Sequence, residues 1–263
     1  KKQGKKQWQT PRKSGSEDPT QSHSIEAGDV GIWATCNLKM EGKCVSELKD
    51  LFGEYAQRLY RQDPTISAPE KKSPSPDVDI EAEIKKELAN IRKPSASPLF
   101  TSVRLNTPCL IFFRTRSPIE PVSFVQAICD DAAISPERKQ GRFIKRLTPM
   151  TVMGKANEKS LDEVAQQVLA PYFHGKSSKS KKFAIRPNLR NHNIMSRDLV
   201  IKKVASVVGH GHTVDLKNYE LLILVEVYQN ILGMSVVDGP HYDRLKRFNL
   251  AEIYEPSPKT RDS

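Results

Sequence analysis

Two rhythms of apolar residues run along this chain, a period of two that marks half-buried strands and a period near 3.6 that marks helices lying on them. A first strand is expected over residues 30–36, where Ile32, Trp33, Ala34 and Cys36 follow Gly31. Met40, Glu41, Gly42 and Lys43 read as a turn. Val45, Leu48, Phe52, Tyr55, Ala56 and Leu59 then recur at helical spacing, which predicts an amphipathic helix over residues 44–60 with its aromatic side chains in a core. Two strands are expected at 99–105 and 108–116. The second is buried through Cys109-Leu110-Ile111-Phe112-Phe113, with Asn106 and Thr107 in the turn and Pro108 at the first strand position. A helix over 121–133 has Pro121 in its first turn and Phe124, Val125 and Ile128 inward, and a strand over 143–153 follows. Strand, helix, strand, strand, helix, strand is the ferredoxin-like order.

The second half repeats the two rhythms. Leu161, Val164, Ala165, Val168 and Leu169 predict a helix over 160–172, with Asp162 and Glu163 in a first turn that favours acids. Phe183 and Ile185 alternate on a strand at 181–186, and Pro187-Asn188-Leu189-Arg190-Asn191-His192-Asn193 reads as a polar loop. Ser196 caps a helix that carries Val200, Val204 and Val207 or Val208 on one face and ends at Gly209. The apolar run Leu221-Leu222-Ile223-Leu224-Val225-Glu226-Val227-Tyr228 predicts a strand covered on both faces. Residues 229–237 return as a strand ending at Asp238-Gly239, and 242–250 read as a short amphipathic helix that closes the domain. Two domains are therefore expected, at 29–153 and 154–255.

Composition changes the picture in two places. Residues 1–28 hold six Lys or Arg before the first acid, Glu17, and bury nothing, so they read as a disordered basic tail, and 256–263 reads as a tail. Between 62 and 98 the chain turns proline-rich, as in a flexible insert, with one amphipathic stretch at 79–92 carrying Ile80, Ile84, Leu88 and Ile91. That stretch reads as a helix docked on the first domain.

Charge supplies the functional clue. The net charge is +11, and between His174 and Lys203 nine Lys or Arg stand against one acid, Asp198. Such an imbalance beside an ordered core points to a polyanion. No apolar run reaches the ~20 residues of a membrane span, and the start lacks a secretory signal. Lys181, Lys182, Arg186, Arg190, Asn191, His192, Asn193, Lys202 and Lys203 are the candidate RNA contacts, with a second cluster at Arg138, Lys139, Arg142 and Lys145. Arg and Lys suit phosphates, while Asn and His reach ribose hydroxyls or base edges. The bland alternative is a solvated basic face.

Chemistry of its own is not legible. The 13 glycines form no phosphate loop, and neither a nucleophile elbow nor a His-Glu-x-x-His pattern occurs. Cys36, Cys44, Cys109 and Cys129 lie far apart in sequence and read as buried reduced thiols of an intracellular protein. His210-Gly211-His212 with Asp215 is the one compact ligand-like group, and it reads as a surface turn. Glu226, inside the apolar run, reads as a structural carboxylate paired with a nearby cation.

The order Lys-Phe-Ala-Ile-Arg at 182–186, a basic loop, Ser-Arg-Asp at 196–198, Gly209, Val-Asp-Leu-Lys-Asn-Tyr-Glu at 214–220 and the strand carrying Glu226 resembles the THUMP domain of tRNA-modifying proteins. With the segment Gly31-Ile32-Trp33-Ala34-Thr35-Cys36-Asn37 upstream, residues 29–255 are similar to the stand-alone THUMP adaptors of tRNA cytidine acetylation. The resemblance implies an α/β (α+β) fold, a ferredoxin-like domain followed by a THUMP domain. It implies a nuclear, nucleolar monomer without cofactor, catalytic residue or metal. Such an adaptor holds the acceptor arm and 3′ end of leucine and serine tRNAs, while a separate RNA cytidine acetyltransferase, using acetyl-CoA and ATP, forms 4-acetylcytidine in the D-arm. The alternatives are an RNA-binding fragment of a methyltransferase or thiolation enzyme with a THUMP domain, or a general RNA chaperone.

Overall fold

A computed structural model of the 263-residue chain describes residues 21–22, 24–60, 98–175 and 180–255. The helix expected at 79–92, the expected tail at 256–263 and most of the basic N-terminal tail lie outside the described residues. The end of that N-terminal tail is ordered, contrary to expectation. β1 (Gln21–Ser22) pairs in parallel with β3 (Phe100–Val103), and Ile25 is buried.

The first sheet runs β1-β3-β4-β2-β5, with β2 (Gly31–Cys36), β4 (Leu110–Thr115) and β5 (Ile144–Met150). Helices α1 (Glu41–Leu59) and α2 (Pro121–Ile134) complete the ferredoxin-like order. Phe52 of α1 meets Phe113 and Phe124 edge-on, at centroid distances of 5.3 and 5.5 Å, which pins the helices to one face. Glu120 caps α2 by accepting from the amides of Val122 and Ser123. The turn expected at 40–43 is instead the start of α1, because the Glu41 carboxylate accepts the Cys109 amide at 2.8 Å and anchors the first turn on the sheet.

The second sheet runs β6-β10-β9-β7-β8, from β6 (Val152–Lys155), β7 (Lys182–Arg190), β8 (Thr213–Val214), β9 (Leu221–Tyr228) and β10 (Ile231–Asp238). β7 is parallel to β8 and β9, and the remaining pairs are antiparallel. Helices α3 (Glu158–Phe173) and α4 (Arg197–Val208) cover one face, over Ile223, Val225, Val227, Leu232, Met234 and Val236. Ser196 caps α4 through the Leu199 amide, and Gly209 ends it at φ 81°, a conformation that costs glycine little.

Three expectations fail for reasons the topology supplies. The single strand at 143–153 breaks at Thr151, whose amide turns to the Met234 carbonyl, so β5 serves the first sheet and β6 the second. The polar loop at 187–193 is strand as far as Arg190, in register with β9 up to the pair Arg190 and Tyr228. Beyond Phe183, β8 no longer flanks β7, so Pro187, though its side chain is buried, lies on an unpaired ladder edge where its missing N–H costs nothing. The helix expected at 242–250 is three short pieces. They are α5 (Gly239–Arg244), a 3-10 turn at Lys246–Phe248 and α6 (Leu250–Ile253), with left-handed backbone at Lys246, Arg247 and Phe248.

These pieces do not close the second half on itself. Tyr242, Leu245, Phe248 and Leu250 join the core of the first sheet, against β5 and α2. The other face of the second sheet, with Leu222, Leu224, Tyr228, Ile231 and Val237, belongs to that same core. Trp33 and Tyr228 meet edge-on at 5.5 Å across the seam, and the Ser235 hydroxyl donates to the Pro149 carbonyl at 2.7 Å. A Cβ on Gly233 would fall 2.4 Å from the sulfur of Met153 and 2.7 Å from that of Met150, so glycine here leaves room for the two methionine side chains. The second sheet is thus buried on both sides, which is why β9 reads as one apolar run.

Candidate nucleic-acid interface

Along β7 the side chains alternate between two surroundings. Phe183 and Ile185 enter the core under α3 and α4, while Ala184 faces the seam. Arg186, Asn188 and Arg190 follow on the seam side, each half-buried. Arg186 donates from Nη2 to the Tyr219 hydroxyl at 3.4 Å and stands 5.6 Å from the centre of the Tyr242 ring. Tyr219 in turn donates to the Asp243 carboxylate of α5. Asn188 holds both carboxylate oxygens of Glu226 from Nδ2, at 3.1 and 2.8 Å.

Glu226 lies on an inner strand, between β7 and β10, rather than at an edge. Burial pushes its pKa up, and the charges of Arg190 and Arg146 with the Asn188 bond pull it back only in part. The charge of Arg146 acts on it from the other sheet. A register shift between β2 and β5 at Ala34 and Cys36 re-aims β5 there, and the Arg146 amide donates to the Thr35 hydroxyl at 3.1 Å. Its backbone also bridges Asn249 of the C-terminal segment. Both sheets thus place arginine in one seam.

The family model for the THUMP domain matches residues 155–237. The chain is 34% identical over 251 residues to "tRNA acetyltransferase TAN1" of Saccharomyces cerevisiae, a match covering 88% of this chain and 86% of that protein. It is 32% identical over 237 residues to an uncharacterised protein of Schizosaccharomyces pombe, covering 90% of this chain and 80% of that one. The chain belongs to the THUMP-domain family. The mouse relative, THUMP domain-containing protein 1, is 32% identical over 272 residues, with 98% of this chain and 76% of the relative covered. A solution structure of the THUMP domain of THUMP domain-containing protein 1 matches at 29% identity over 33% of this chain and 89% of its own, with a TM-score of 0.29.

Within the THUMP domain the sequence-predicted residues separate. Arg186 and Arg190 share the seam, and Asn191 extends it, its amide donating at 3.3 Å to Thr107 in the loop between β3 and β4. Asn193 is exposed on the same loop. His192 is committed to that loop, with Nδ1 2.6 Å from the Gln229 carbonyl and Nε2 accepting the Met195 amide at 2.9 Å. Lys181 donates from Nζ to the Tyr172 carbonyl at 3.0 Å, and Lys182 pairs with Asp215 at 3.2 Å. On the outer helices Lys202 is exposed, whereas Lys203 bridges Asp162 at 2.9 Å and Glu158 at 3.3 Å. Those bonds raise its pKa, and Lys203 is not the free cation the sequence implied.

The second cluster does not join the seam as a unit. Arg138 and Lys139 are exposed in the loop after α2, Arg142 lies 5.7 Å from the Phe143 ring, and Lys145 sits exposed beside Cys36. The residue the candidate set missed is Arg146. Its charge at the start of the expected strand was legible, but its aim into the seam was not. Tyr219 and Tyr242 were equally illegible, because the C-terminal segment that positions them was read as closing its own domain.

Other candidates for chemistry are occupied by structure. His212 accepts the Lys181 amide at Nδ1 and lies 3.1 Å from the Phe173 carbonyl through Nε2, while Asp215 accepts the amides of Lys217 and Asn218. The group is a turn. Cys36, Cys44 and Cys129 are buried free thiols and Cys109 a partly buried one. Burial pushes Cys36 up to about 11, far from a reactive thiolate. No helix of the described residues is long and apolar enough to cross a membrane.

Proposed function

We propose that this chain is a tRNA-binding adaptor that captures leucine- and serine-type tRNA along its seam and presents it to a separate RNA cytidine acetyltransferase. The partner, which brings acetyl-CoA and ATP, forms 4-acetylcytidine in the D-arm. The chain itself supplies positioning, which accounts for much of a rate when two reactants must be aligned. The observation that carries this reading is the convergence of Arg186, Arg190 and Asn191 on one face beside the exposed 191–194 loop, in a chain belonging to the THUMP-domain family. The compartment is the nucleus, and within it the nucleolus, where a fluorescent fusion should concentrate.

The Saccharomyces cerevisiae relative is named a tRNA acetyltransferase. That wording favours a second reading, in which this chain performs the transfer. One assay separates the two: tRNA, acetyl-CoA and ATP with this chain, with the candidate acetyltransferase, and with both. The adaptor reading expects 4-acetylcytidine only with both. Product from the chain alone assigns the chemistry to it, and full activity of the partner alone removes the adaptor role.

A further inference from the structure

Where the sheets face each other, Arg190 and Arg146 act through their charge on the Glu226 carboxylate without touching it, and Arg186 stands 5.6 Å from the Tyr242 ring of the same seam. Glu226 lies in the field of Arg190 and Arg146, and Tyr242 lies in the field of Arg186, Arg146 and Glu226, so the four charged groups share one neighbourhood. The nearby Asp243 is already engaged by the Tyr219 hydroxyl and, at 3.6 Å, by Arg247. Arg186 Nη1 and Arg146 Nε are shielded from solvent, and among the described residues neither finds a hydrogen-bond partner. A buried charged donor left unpaired costs the full desolvation of that group. Arginines that only cemented the seam would each have a carboxylate at ion-pair distance, as Arg114, whose Nε is equally shielded and unbonded, has in Asp29 at 2.7 Å. Among the described residues two positive charges remain in excess here.

We propose that Arg146, Arg186 and Arg190 form a seat for one phosphate group shared between the two sheets. A guanidinium offers two parallel N–H donors that match phosphate oxygens, and a tetrahedral anion presents oxygens in enough directions to meet donors from β5 and β7 together. The Tyr219 hydroxyl at 3.4 Å from Arg186 steadies one side of the seat. Glu226 competes with the ligand for Arg146 and Arg190. Because Arg146 belongs to the first sheet and the other two to the THUMP domain, an occupied seat ties the domains together at the moment of capture. The inference deepens the RNA-binding reading and rests on it only for the source of the phosphate. A free ion, a terminal phosphate and an internal phosphodiester offer the same chemistry.

Calorimetric titration of the full chain with sodium phosphate, against sodium chloride at equal ionic strength, tests the seat. Phosphate should bind where chloride does not, and Arg146→Gln should weaken it about tenfold, the size of one charge-assisted hydrogen bond. Glu226→Gln should strengthen it, since the competing charge is removed while the Asn188 bond keeps an acceptor. That opposite sign keeps the test decisive even if Arg146→Gln folds poorly. A trinucleotide with a 5′-phosphate, compared with its 5′-hydroxyl twin, locates the source. Preference for the former assigns a terminal phosphate. Equal binding that still depends on Arg146 assigns a phosphodiester, and a response confined to the ion assigns free phosphate. Equal effects of phosphate and chloride, or indifference of every ligand to both substitutions, would overturn the seat. Measuring tRNA affinity in parallel keeps the two readings apart, because tRNA binding without a seat leaves the adaptor standing, while a seat without tRNA binding does the reverse.

Discussion

Lys203 on α4 and Arg186 on β7 are cations of the same domain, and the fold uses them in opposite ways. Lys203 lies on an outer helix and is neutralised by Asp162 and Glu158 of α3, which joins the two helices to each other. Arg186 lies on the inner face, beside Arg190 and Arg146, where carboxylates are outnumbered. A surface ion pair contributes little to stability and leaves little field for a ligand. An unbalanced, half-buried cluster costs the fold something and projects its charge toward whatever enters the seam. Local density of Lys and Arg in the sequence is identical in kind at both places. Only the distribution of acids in three dimensions separates them.

The comparison breaks most visibly if the seam is not a packed interior. Trp33 touches both Phe112, at a centroid distance of 4.9 Å, and Tyr228 across the sheets. Trp33→Ala should therefore cost about 3–5 kcal/mol in urea unfolding, whereas Lys202→Ala should stay within about 0.5 kcal/mol. Equal costs for the two would mean that the sheets are not joined as described.

The next effect concerns RNA. Arg186→Ala with Arg190→Ala should lower tRNA affinity by at least about tenfold, at about 1.5–3 kcal/mol for each well-formed contact. Unfolding stability should hold or rise, since an uncompensated buried charge is removed. Loss of affinity accompanied by a falling melting temperature would make the arginines structural. Lys203→Ala should leave tRNA affinity at the parent value, because its charge is already spent on two carboxylates. A clear loss there, seen in the same binding assay, would return the interface to the outer helices.

The smallest effect is a pH dependence. The folded pKa of Glu226 lies above its ordinary value of 4.5, so the folded chain holds this proton more tightly than the unfolded one. Its contribution to stability is greatest below pH 4.5 and falls as pH rises through the folded pKa. Glu226→Gln should flatten that part of the melting-temperature profile and raise stability near neutrality. An unchanged profile would show the carboxylate to be fully compensated by its arginines.

Most elements were legible because their apolar spacing is unambiguous. The helix carrying Val200, Val204 and Val208, the cap at Ser196 and the stop at Gly209 all follow from local pattern and appear as expected. What failed was each place where one segment serves two sheets. Residues 143–153 satisfy a single strand pattern, and only the pairing of Thr151 with Met234 divides them. Asn188 and Arg190 look like loop because a strand facing a charged seam must be polar on one side, and Pro187, on the other face, is tolerated because that ladder edge is unpaired. Of the candidate site, Arg186 and Arg190 were found by charge. Arg146 was not, since its role depends on a register shift that no local sequence feature announces.

The most direct test of the account is the salt dependence of tRNA binding, measured for the parent, for Arg186→Ala with Arg190→Ala, and for Lys202→Ala with Lys203→Ala. Each phosphate contact contributes about 0.7–0.9 to the slope of log affinity against log salt. The arginine pair should lower the slope by about 1.4–1.8 and weaken binding at every salt concentration. The lysine pair should lower it by no more than about 0.9, the share of Lys202 alone. A parental slope in the arginine variant together with a larger drop in the lysine variant would contradict the seam as the place where RNA is held.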